Sequence, residues 1–552
     1  MTSTALDIPR SQWTLVEVVR RQAQRLGDTE FLNVDGSRLS FAQLQDQSDR
    51  AAAALARLGV GPGDRVLALA TNSTELIVAM IATHKRRAVF TPINTELKGA
   101  FLGHQVRNSD PVVVLVDTEL LGAFANVDTT GLGLAHTVLI EPITIGATVE
   151  ALPASLAKTT VASWSQLLEG ADVDPATVLD PEPADVCTIM YTSGTTGPSK
   201  GVLLPQAHCV LFAIGSANAM GLMEGQDHFY TCMPFFHANA LFMQIYAGLV
   251  AGVSATVVKR FSVSSWLDHL IDCRATVTNA LGVMPELIFR QPPDPRDRQH
   301  QVTRVMAVPV AQEWGEAFEQ RFGVRLIQGY GMTEINMVSY SDPADPVLAG
   351  CAGRVLDEFF DVIVADPETD QPVATGEAGE ILVRPRQPFC FNQGYFRMPE
   401  KTVEAYRNLW FHTGDAGRFD HEGRLFFIDR LNDRIRRRGE NISSYEIEQV
   451  LNEHPAVLES AAVGIRVEGA GGEDEIKAVV VLHDGPDSQL DPVALLDYCA
   501  EHMPRYAVPR YIEIVADLDK TASGKVRKQD IRDSGITPAT WDRESVGYQL
   551  RR

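Results

Sequence analysis

The stretch from Phe41 to Asp117 alternates segments that favour helices with short apolar segments that favour strands. A strand is predicted from Arg65 to Ala70, and a helix is predicted to follow it from about Thr74 to His84. Strands separated by helices are typical of a parallel sheet that helices cover on both faces. The same alternation returns between Ile189 and Gly282, so the sequence predicts an α/β fold with two α/β lobes in one large N-terminal region.

The pattern changes after Arg384, where short alternating strands are separated by glycine turns and predict a small β-barrel-like unit. Beyond the basic segment Arg434 to Arg438, predicted helices and strands mix in a compact α+β domain. We therefore expect a large N-terminal domain over residues 1–429, a boundary segment over residues 430–433 and a small C-terminal domain over residues 434–552.

The charge of the chain argues against two classes of partner. The 552 residues carry a formal net charge of -22, whereas proteins that bind nucleic acid or anionic membranes usually present a basic surface. The seven cysteines form no Cys-x-x-Cys pair, which indicates a reducing compartment rather than a disulfide framework or a zinc site. With no leader pattern and no apolar run of ~18 residues, we expect a cytoplasmic protein without integral membrane association. The sequence leaves open whether the protein forms a homo-oligomer.

A loop rich in glycine and hydroxyl groups follows the apolar run Val186 to Met190 and ends in Lys200. Its glycines allow backbone amides to approach an anion, and its hydroxyls and the lysine add donors, so the loop predicts a phosphate site. The P-loop pattern is excluded because Gly201, and not serine or threonine, follows the lysine. An ordinary polar turn after a strand is the alternative. The predicted phosphate contacts are Thr192, Ser193, Gly194, Thr195, Thr196, Gly197 and Lys200.

A second candidate segment reads Gly329-Tyr330-Gly331-Met332-Thr333-Glu334 and follows a predicted strand. The two glycines let the backbone come close to a flat ligand while the tyrosine ring lies against it. Glu334 is a candidate Mg²⁺ ligand, since Mg²⁺ favours one or two protein carboxylates together with phosphate oxygens and water. A solvated glutamate in a turn is the alternative.

Two weaker segments lie further along the chain. Asp415, in the segment His412-Thr413-Gly414-Asp415, is a candidate acceptor for ribose hydroxyls. Lys525 follows a glycine turn, although most lysines of this kind are solvated surface charges.

Together and in this order, the four segments resemble the adenylate-forming (ANL) superfamily of acyl-CoA synthetases, luciferases and peptide-synthetase adenylation domains. The resemblance runs from about Leu15 to Arg532 and includes the segments Gly63 to Val66 and Thr91 to Asn94. It implies the ANL fold, in which a large N-terminal region precedes a small mobile domain. Arg87 departs from the superfamily, which usually has glycine there, and Asn432 replaces the usual aspartate or lysine of the hinge.

The resemblance also implies roles for individual residues. The loop would hold the β- and γ-phosphates of ATP, and Thr196 and Glu334 would bind Mg²⁺. The segment Gly329 to Thr333, which includes Gly331 and Met332, would bind the nucleotide, and its Tyr330 would lie against adenine. Lys525 would reach the carboxylate and the α-phosphate. His237 would separate an acyl pocket from the thiol tunnel, unless it is a packed core histidine. The remaining implied contacts are Asp415 and Arg430 with ribose, Arg436 and Asn441 elsewhere in the active site, and Arg438, Gly439 and Glu440 with CoA.

The implied activity is that of an ATP- and Mg²⁺-dependent acyl-CoA synthetase, an acid–thiol ligase that forms an acyl-adenylate, releases pyrophosphate and passes the acyl group to CoA with release of AMP. Within the superfamily the likeness is greatest to crotonobetaine/carnitine-CoA ligases, through Gln291-Pro292-Pro293, Asp297 to His300 and Arg321 to Leu326. The acid stays open between a carnitine- or crotonobetaine-like compound and a fatty acid. An enzyme that loads a carrier protein's phosphopantetheine thiol is the alternative, and a non-enzymatic binding role is disfavoured by the presence of Lys525, Glu334 and Asp415.

Overall fold

The structure of the chain is a computed structural model. It describes residues 8–97, 99–140, 152–171, 173–192, 199–282, 284–308, 310, 314–430, 435–437, 440–442, 444–467, 474–485, 490–503, 507–521 and 526–548. The helices of this part, in chain order, are α1 (Leu15–Leu26), α2 (Phe41–Arg57), α3 (Thr74–Lys85), α4 (Gly99–Ser109), α5 (Trp164–Leu168), α6 (Gln206–Ala219), α7 (Ala238–Ala240), α8 (Ala247–Ala251), α9 (Trp266–Cys273), α10 (Met284–Phe289), α11 (Gly315–Phe322), α12 (Pro399–Ala405), α13 (Ser444–Glu453), α14 (Pro492–His502) and α15 (Lys528–Ser534).

The strands of the described residues are numbered in the same way. They are β1 (Glu30–Val34), β2 (Ser37–Ser40), β3 (Arg65–Leu69), β4 (Val89–Pro92), β5 (Val113–Asp117), β6 (His136–Ile140), β7 (Thr160–Ser163), β8 (Val186–Thr192), β9 (Lys200–Pro205), β10 (His228–Thr231), β11 (Ser254–Val257), β12 (Val277–Leu281), β13 (Arg304–Val308), β14 (Arg325–Ile327), β15 (Gly329–Met332), β16 (Asn336–Tyr340), β17 (Cys351–Val355), β18 (Phe360–Ala365), β19 (Gly379–Pro385), β20 (Phe411–Phe419), β21 (Arg424–Arg430), β22 (Ile435–Arg437), β23 (Glu440–Ile442), β24 (Val457–Arg466), β25 (Asp474–Leu482), β26 (Tyr511–Val515) and β27 (Trp541–Asp542).

Two seven-stranded sheets form the α/β part and confirm the predicted lobes. The first sheet has the order β7-β6-β5-β3-β4-β8-β9 and the second has the order β14-β13-β12-β10-β11-β1-β2. Each is parallel except at one edge, where β9 pairs antiparallel with β8 and β2 pairs antiparallel with β1. The strands β1 and β2 precede the first sheet in sequence but complete the second, so the lobes are not consecutive pieces of chain.

The predicted small β unit is a third sheet of seven antiparallel strands, in the order β15-β16-β17-β21-β20-β19-β18. It begins at Gly329, well before the change of pattern seen at Arg384. The C-terminal part has its own sheet, β24-β25-β26-β27, against which α13 packs, and a separate hairpin of β22 and β23. This is the predicted mixture of helices and strands. The proposed hinge itself stays a prediction, because residues 431–434 lie outside the described residues.

Burial follows the layers of the fold. The largest apolar cluster joins α1, α2, α3 and α6 to the first two sheets, and a second cluster fills the opposite face of the second sheet around Trp266 and Phe318. A separate cluster around Leu451, Val480 and Leu495 forms the core of the C-terminal domain. Among the described residues, every helix falls short of the length or apolar character that a membrane span requires.

Two histidines are buried within the first of these clusters and create a pH dependence. Burial lowers the pKa of His84 and of His208 to about 3. Both therefore remain neutral in the folded protein at pH 5, whereas histidines of an unfolded chain take up protons below a pH of about 6.5. The unfolded state binds more protons between these pH values, so folding stability falls as the pH drops from about 6.5 towards 3.

We expect the substitution His84→Gln to reduce this acid sensitivity. When the pH is lowered from 7 to 5, the unfolding free energy should fall by about 2 kcal/mol less in the variant than in the unchanged protein. The variant lacks one histidine that takes up a proton only when the chain unfolds. Urea unfolding at the two pH values measures the difference. His421→Gln is the control, since His421 is exposed; the same pH loss in all three proteins would contradict the prediction.

Candidate active site

The predicted phosphate loop connects two antiparallel strands. Thr192, the last residue of β8, lies opposite Lys200, the first residue of β9. A P-loop, by contrast, leads from its strand directly into a helix. The five predicted contacts between them, Ser193, Gly194, Thr195, Thr196 and Gly197, lie outside the described residues.

The helix α4 fixes both stems of this loop. The Gln105 side chain donates a 3.0 Å hydrogen bond to the Ser199 hydroxyl, and His104 Nε2 lies 2.9 Å from the Ser199 carbonyl oxygen. On the other stem, the Tyr191 hydroxyl donates to the Asn108 side chain at 2.7 Å. The position of the loop is therefore set by side chains of the first lobe.

Glu334 brings the two strongest sequence segments together. It lies in the turn between β15 and β16, and only 7% of its surface is exposed. Its Oε1 accepts a hydrogen bond from the Thr192 hydroxyl at 3.0 Å and another from the Tyr395 hydroxyl at 3.3 Å. Its backbone carbonyl accepts from the Asn392 side chain at 2.7 Å. The solvated-turn alternative for this glutamate is therefore wrong.

Tyr395 also lies beside the lysine of the loop. The Lys200 ammonium is 4.5 Å from the centroid of the Tyr395 ring, a cation–π distance. Burial raises the pKa of Tyr395, with a further contribution from Glu334, so its hydroxyl stays protonated and able to donate. One tyrosine thus contacts both the candidate metal ligand and the candidate phosphate ligand.

The backbone around Tyr395 explains how it reaches this position. Residues 393–396 run along the free edge of β9, where the amide of Leu203 donates to the Gly394 carbonyl and the amide of Phe396 donates to the Gly201 carbonyl. Gly394 has φ of 95°, in the left-handed region, and a Cβ there would lie 2.6 Å from Thr402. Tyr395 was not predicted from the sequence, in which the local signal is a glycine followed by an aromatic residue.

A second group of contacts lies in the third sheet. The Tyr330 hydroxyl donates a 2.7 Å hydrogen bond to Asp415 Oδ2, and Asp415 is only 5% exposed. The Tyr330 ring is nearly parallel to the Phe427 ring, with centroids 6.1 Å apart. Asp415 is opposite Arg430 in the pairing of β20 with β21. The structure thus joins Tyr330 to Asp415 directly and places Arg430 on the neighbouring strand.

The glycines on either side of Tyr330 have a structural role. A Cβ at Gly331 would lie 2.3 Å from the Asn336 carbonyl oxygen, and one at Gly329 would lie 2.9 Å from the Ser339 carbonyl oxygen. Both atoms belong to β16, the partner of β15. Close pairing within this hairpin requires the glycines, whereas the sequence suggested close approach to a ligand. Met332 and Thr333 continue from β15 into the turn that holds Glu334.

His237 follows β10 and immediately precedes α7. The preceding backbone is held by Asn72, which donates to the Met233 carbonyl at 2.9 Å and accepts from the Phe235 amide at 2.8 Å. The His237 ring is partly exposed and lies 4.5 Å from the Phe236 ring, centroid to centroid. It is therefore not a fully packed core histidine.

The chain around His237 carries a run of six aromatic side chains between Phe229 and Tyr246, most of which belong to the core. Side chains that could have lined a pocket are almost fully buried, with Tyr230 in the cluster on one face of the second sheet and the others in the main cluster: Phe229, Phe235, Phe242 and Tyr246. Only Phe236 of the run keeps partial exposure. These buried rings are therefore core residues.

Comparison with known proteins identifies the family. A model described as "AMP-binding enzyme" matches residues 19–396, and one described as "AMP-binding enzyme C-terminal domain" matches residues 446–525. The chain belongs to the AMP-binding enzyme family. A crotonobetaine/carnitine–CoA ligase of Salmonella typhi is 30% identical over 501 residues, which cover 89% of this chain and 93% of the relative. The resemblance to adenylate-forming acyl-CoA synthetases, and the prediction of an AMP-forming acid–thiol ligase, are confirmed at this level.

Solved structures of other AMP-binding enzymes share the fold. MatB of Rhodopseudomonas palustris, solved with ATP, superposes with a TM-score of 0.78 at 24% identity over 94% of this chain and 98% of that chain. The O-succinylbenzoate coenzyme A synthetase MenE of Bacillus subtilis, solved with ATP and a magnesium ion, superposes with a TM-score of 0.77 at 24% identity over 95% of this chain and 99% of that chain. The predicted ANL fold is confirmed.

Several predicted residues of this AMP-binding enzyme stay predictions. The backbone of the hairpin β22–β23 is described and places Arg436 opposite Asn441 and Arg437 opposite Glu440. The structure describes no side chain of Arg430, Arg436, Glu440 or Asn441. Arg438, Gly439 and Lys525 lie outside the described residues altogether.

We expect Gly331→Ala to destabilise the enzyme in the absence of any ligand. The added Cβ would meet the Asn336 carbonyl, and relief of such overpacking costs about 1 to 3 kcal/mol. Thermal unfolding without nucleotide measures the loss. Gly122→Ala is the control, because a Cβ at Gly122 meets no atom within 4 Å. If Gly331 served only to admit a ligand, the two variants would be equally stable.

Proposed function

We propose that the protein is an ATP- and Mg²⁺-dependent acyl-CoA synthetase. The observation that supports this most is the convergence of the Thr192 and Tyr395 hydroxyls on the buried carboxylate of Glu334, with Lys200 over the Tyr395 ring. This convergence joins the stem of a phosphate loop to a carboxylate of the kind that Mg²⁺ prefers. The free cysteines among the described residues agree with a reducing compartment, and we place the enzyme in the cytoplasm.

The reaction has two steps. A carboxylate oxygen of the acid attacks the α-phosphorus of ATP, the bond from that phosphorus to the bridging oxygen of the β-phosphate breaks, and pyrophosphate leaves. The thiolate of CoA then attacks the acyl carbonyl carbon of the adenylate, and AMP leaves. Negative charge builds on groups that are already anionic, so positioned donors and cations are the main catalytic need.

Lys200 and Glu334 would serve the phosphates. Mg²⁺ with few protein ligands fits this site: Glu334 offers a buried carboxylate, and the described residues contain no cluster of three or more histidine, cysteine or acidic side chains that would hold a metal alone. Glu334 and Thr196 would hold the ion, which would neutralise phosphate charge. Tyr395 would fix the Glu334 carboxylate and steady the Lys200 ammonium.

Asp415 and Tyr330 would serve the nucleoside. The carboxylate of Asp415, with Arg430, would hold the ribose hydroxyls, and adenine would lie against Tyr330. The hydrogen bond from Tyr330 to Asp415 supports this placement, because it brings the proposed ribose acceptor next to the proposed adenine contact.

The small domain would supply the groups that differ between the steps. Lys525 would reach the carboxylate and the α-phosphate during adenylation, whereas residues Arg438 to Glu440, with Arg436 and Asn441 nearby, would face CoA during transfer. We propose that the domain rotates about Asn432 between the steps. His237 would separate the acyl pocket from the path of the thiol.

A panel of carboxylic acids, including carnitine, crotonobetaine and fatty acids of graded length, tests the proposed function. Pyrophosphate release that depends on ATP, Mg²⁺ and an acid, with an acyl-CoA product identified by mass, is expected. Lys525→Ala should lose most adenylation, because a positioned cation is missing from the transition state. Acyl transfer to a carrier protein's phosphopantetheine and not to CoA would show that the carrier protein is the acceptor. The absence of pyrophosphate release with every acid would overturn the proposal.

We expect Tyr395→Phe to weaken use of Mg²⁺·ATP. Loss of one hydrogen bond to a charged group is worth roughly 1.5 to 3 kcal/mol, so kcat/KM for ATP should fall about 10- to 100-fold, with the largest fall at limiting Mg²⁺. The fall in kcat/KM for ATP should be larger for Tyr395→Leu, since this substitution also removes the ring beside Lys200.

The control is Tyr406→Phe, which removes a neighbouring hydroxyl that donates to the Asn392 carbonyl rather than to Glu334. Unchanged ATP and Mg²⁺ dependence in Tyr395→Phe would show that the hydroxyl does not position the carboxylate.

A further inference from the structure

A cluster of three buried amide side chains begins two residues beyond His237. Asn239 is in α7, two residues beyond the histidine, Gln244 follows in the π-helical segment Leu241–Tyr246, and Asn279 is in β12 of the second sheet. Their exposed fractions are 9%, 0% and 2%. Gln244 Nε2 donates to Asn239 Oδ1 at 2.9 Å, and Asn279 Nδ2 donates to the same oxygen at 3.4 Å.

Two of the three amide oxygens in this cluster lack a hydrogen-bond donor among the described residues. Within the part of the chain that the structure describes, neither Gln244 Oε1 nor Asn279 Oδ1 has a hydrogen-bond partner. Asn239 Nδ2 donates to the sulfur of Met243 at 3.3 Å and to neither of these two oxygens. A buried acceptor that lacks a donor is costly, and a ligand that supplies the donor removes that cost.

The fold places this cluster near the carboxyl ends of the strands of the second sheet. Thr278 donates to the Tyr230 carbonyl and Ala280 belongs to the core on one face of the second sheet, so Asn279 faces the other side, where α7, the π-helical segment and α8 pack. Asn279 is near the carboxyl end of β12, next to β10, which leads to His237. In open α/β sheets, ligands bind at the carboxyl ends of the strands.

The local helix geometry supports a ligand role. Gln244 lies in a π-helical segment, a rare form that frequently marks functional sites. The Ser216 hydroxyl of α6 donates to the Met243 carbonyl at 2.7 Å, which helps to hold this segment against its neighbour. A regular α-helix would place the Gln244 amide differently. The π-helical segment and the unpartnered Gln244 oxygen therefore occur at the same place.

We infer that the acid carries a neutral hydrogen-bond donor, a hydroxyl or an amide N–H, in its acyl part, and that this group donates to the amide oxygens of Gln244 and Asn279. This inference rests on the proposed function, because it takes His237 as the boundary of the acyl site. A neutral donor is favoured because the cluster contains amides and a thioether but no acidic side chain. A plain hydrocarbon chain and a quaternary ammonium group both lack such a donor.

Matched acids test the inference. Each set holds one carbon skeleton with hydrogen, hydroxyl or methoxy at the same position, and methoxy keeps an oxygen but cannot donate. The hydroxy acid should exceed both analogues in kcat/KM for pyrophosphate release by tenfold or more, since a site built to bind a donor strongly rejects analogues without one. Acid-induced thermal shifts with a non-reactive ATP analogue give the same comparison without turnover.

Two near-isosteric variants assign the preference to the cluster. Gln244→Met and Asn279→Leu each remove one amide oxygen, and each should lower kcat/KM for the hydroxy acid about tenfold while leaving the hydrogen analogue within about twofold. Each variant also removes one hydrogen bond to Asn239 Oδ1, so thermal unfolding without ligand checks that each variant is folded at the assay temperature. If one variant fails to fold, the other keeps the comparison.

The possible failures are distinguishable. Turnover or binding of all three analogues at similar rates and affinities, or a parallel fall for every acid in both variants, would overturn the inference and leave the synthetase activity in place. The absence of pyrophosphate release with every acid would instead count against the proposed function. The thermal shifts would then still decide the inference, since equal shifts for hydroxy, methoxy and hydrogen acids would overturn it.

Discussion

The carboxylate of Glu334 is the contact on which the arrangement of the site depends. A buried charge is stable only when hydrogen-bond donors compensate for the lost water. Here the donors come from Thr192 at the end of the first sheet and from Tyr395 on a segment that runs beside β9, while the carboxylate belongs to the third sheet. One ionised group therefore ties three separate parts of the chain to a single point. The same exclusion of water strengthens every electrostatic interaction at that point.

The hairpin connection of the predicted phosphate loop affects where positive charge would come from. A P-loop places phosphate at the N-terminus of a helix and uses its dipole. In this chain β9 intervenes, and α6 begins only at Gln206, a whole strand beyond the loop. The loop has its own amides and hydroxyls, but formal positive charge is limited to Lys200 within it. A bound cation and a lysine from another domain are the natural complements for a site built in this way.

The sequence predicted the elements and most of the chemistry, but only part of the spatial arrangement. The strand β3 and the helix α3 end within one residue of their predicted bounds, since local periodicity and flanking residues determine such elements. The membership of β1 and β2 in the second sheet was not predictable, because nothing local specifies pairing with a strand more than two hundred residues away. Tyr395 was missed for the same reason: its role comes from β-type pairing with Val202.

Departures from the family pattern can also be explained physically once the backbone is known. Arg87 replaces a usual glycine and has φ of 52°, in the left-handed region that favours glycine. Its guanidinium forms two hydrogen bonds to the Asp185 carboxylate, at 2.8 and 2.9 Å, which offset part of the backbone strain. This pair lies beside the start of β4, whereas Thr192 lies at the opposite end of the neighbouring β8. The unusual residue is therefore accommodated locally, at the amino ends of the strands.

The bond between Tyr330 and Asp415 has a consequence for how a nucleoside would be recognised. Asp415 is almost fully buried, and the Tyr330 hydroxyl supplies one of the donors that its carboxylate needs. Tyr330 is itself held by the glycine hairpin below it and by the nearly parallel ring of Phe427. A shift of the hairpin would therefore break the hydrogen bond between Tyr330 and Asp415, which lies on β20. In the proposed enzyme, base and ribose would be recognised by two hydrogen-bonded residues of the third sheet, and the turn between β15 and β16 would carry the metal ligand Glu334.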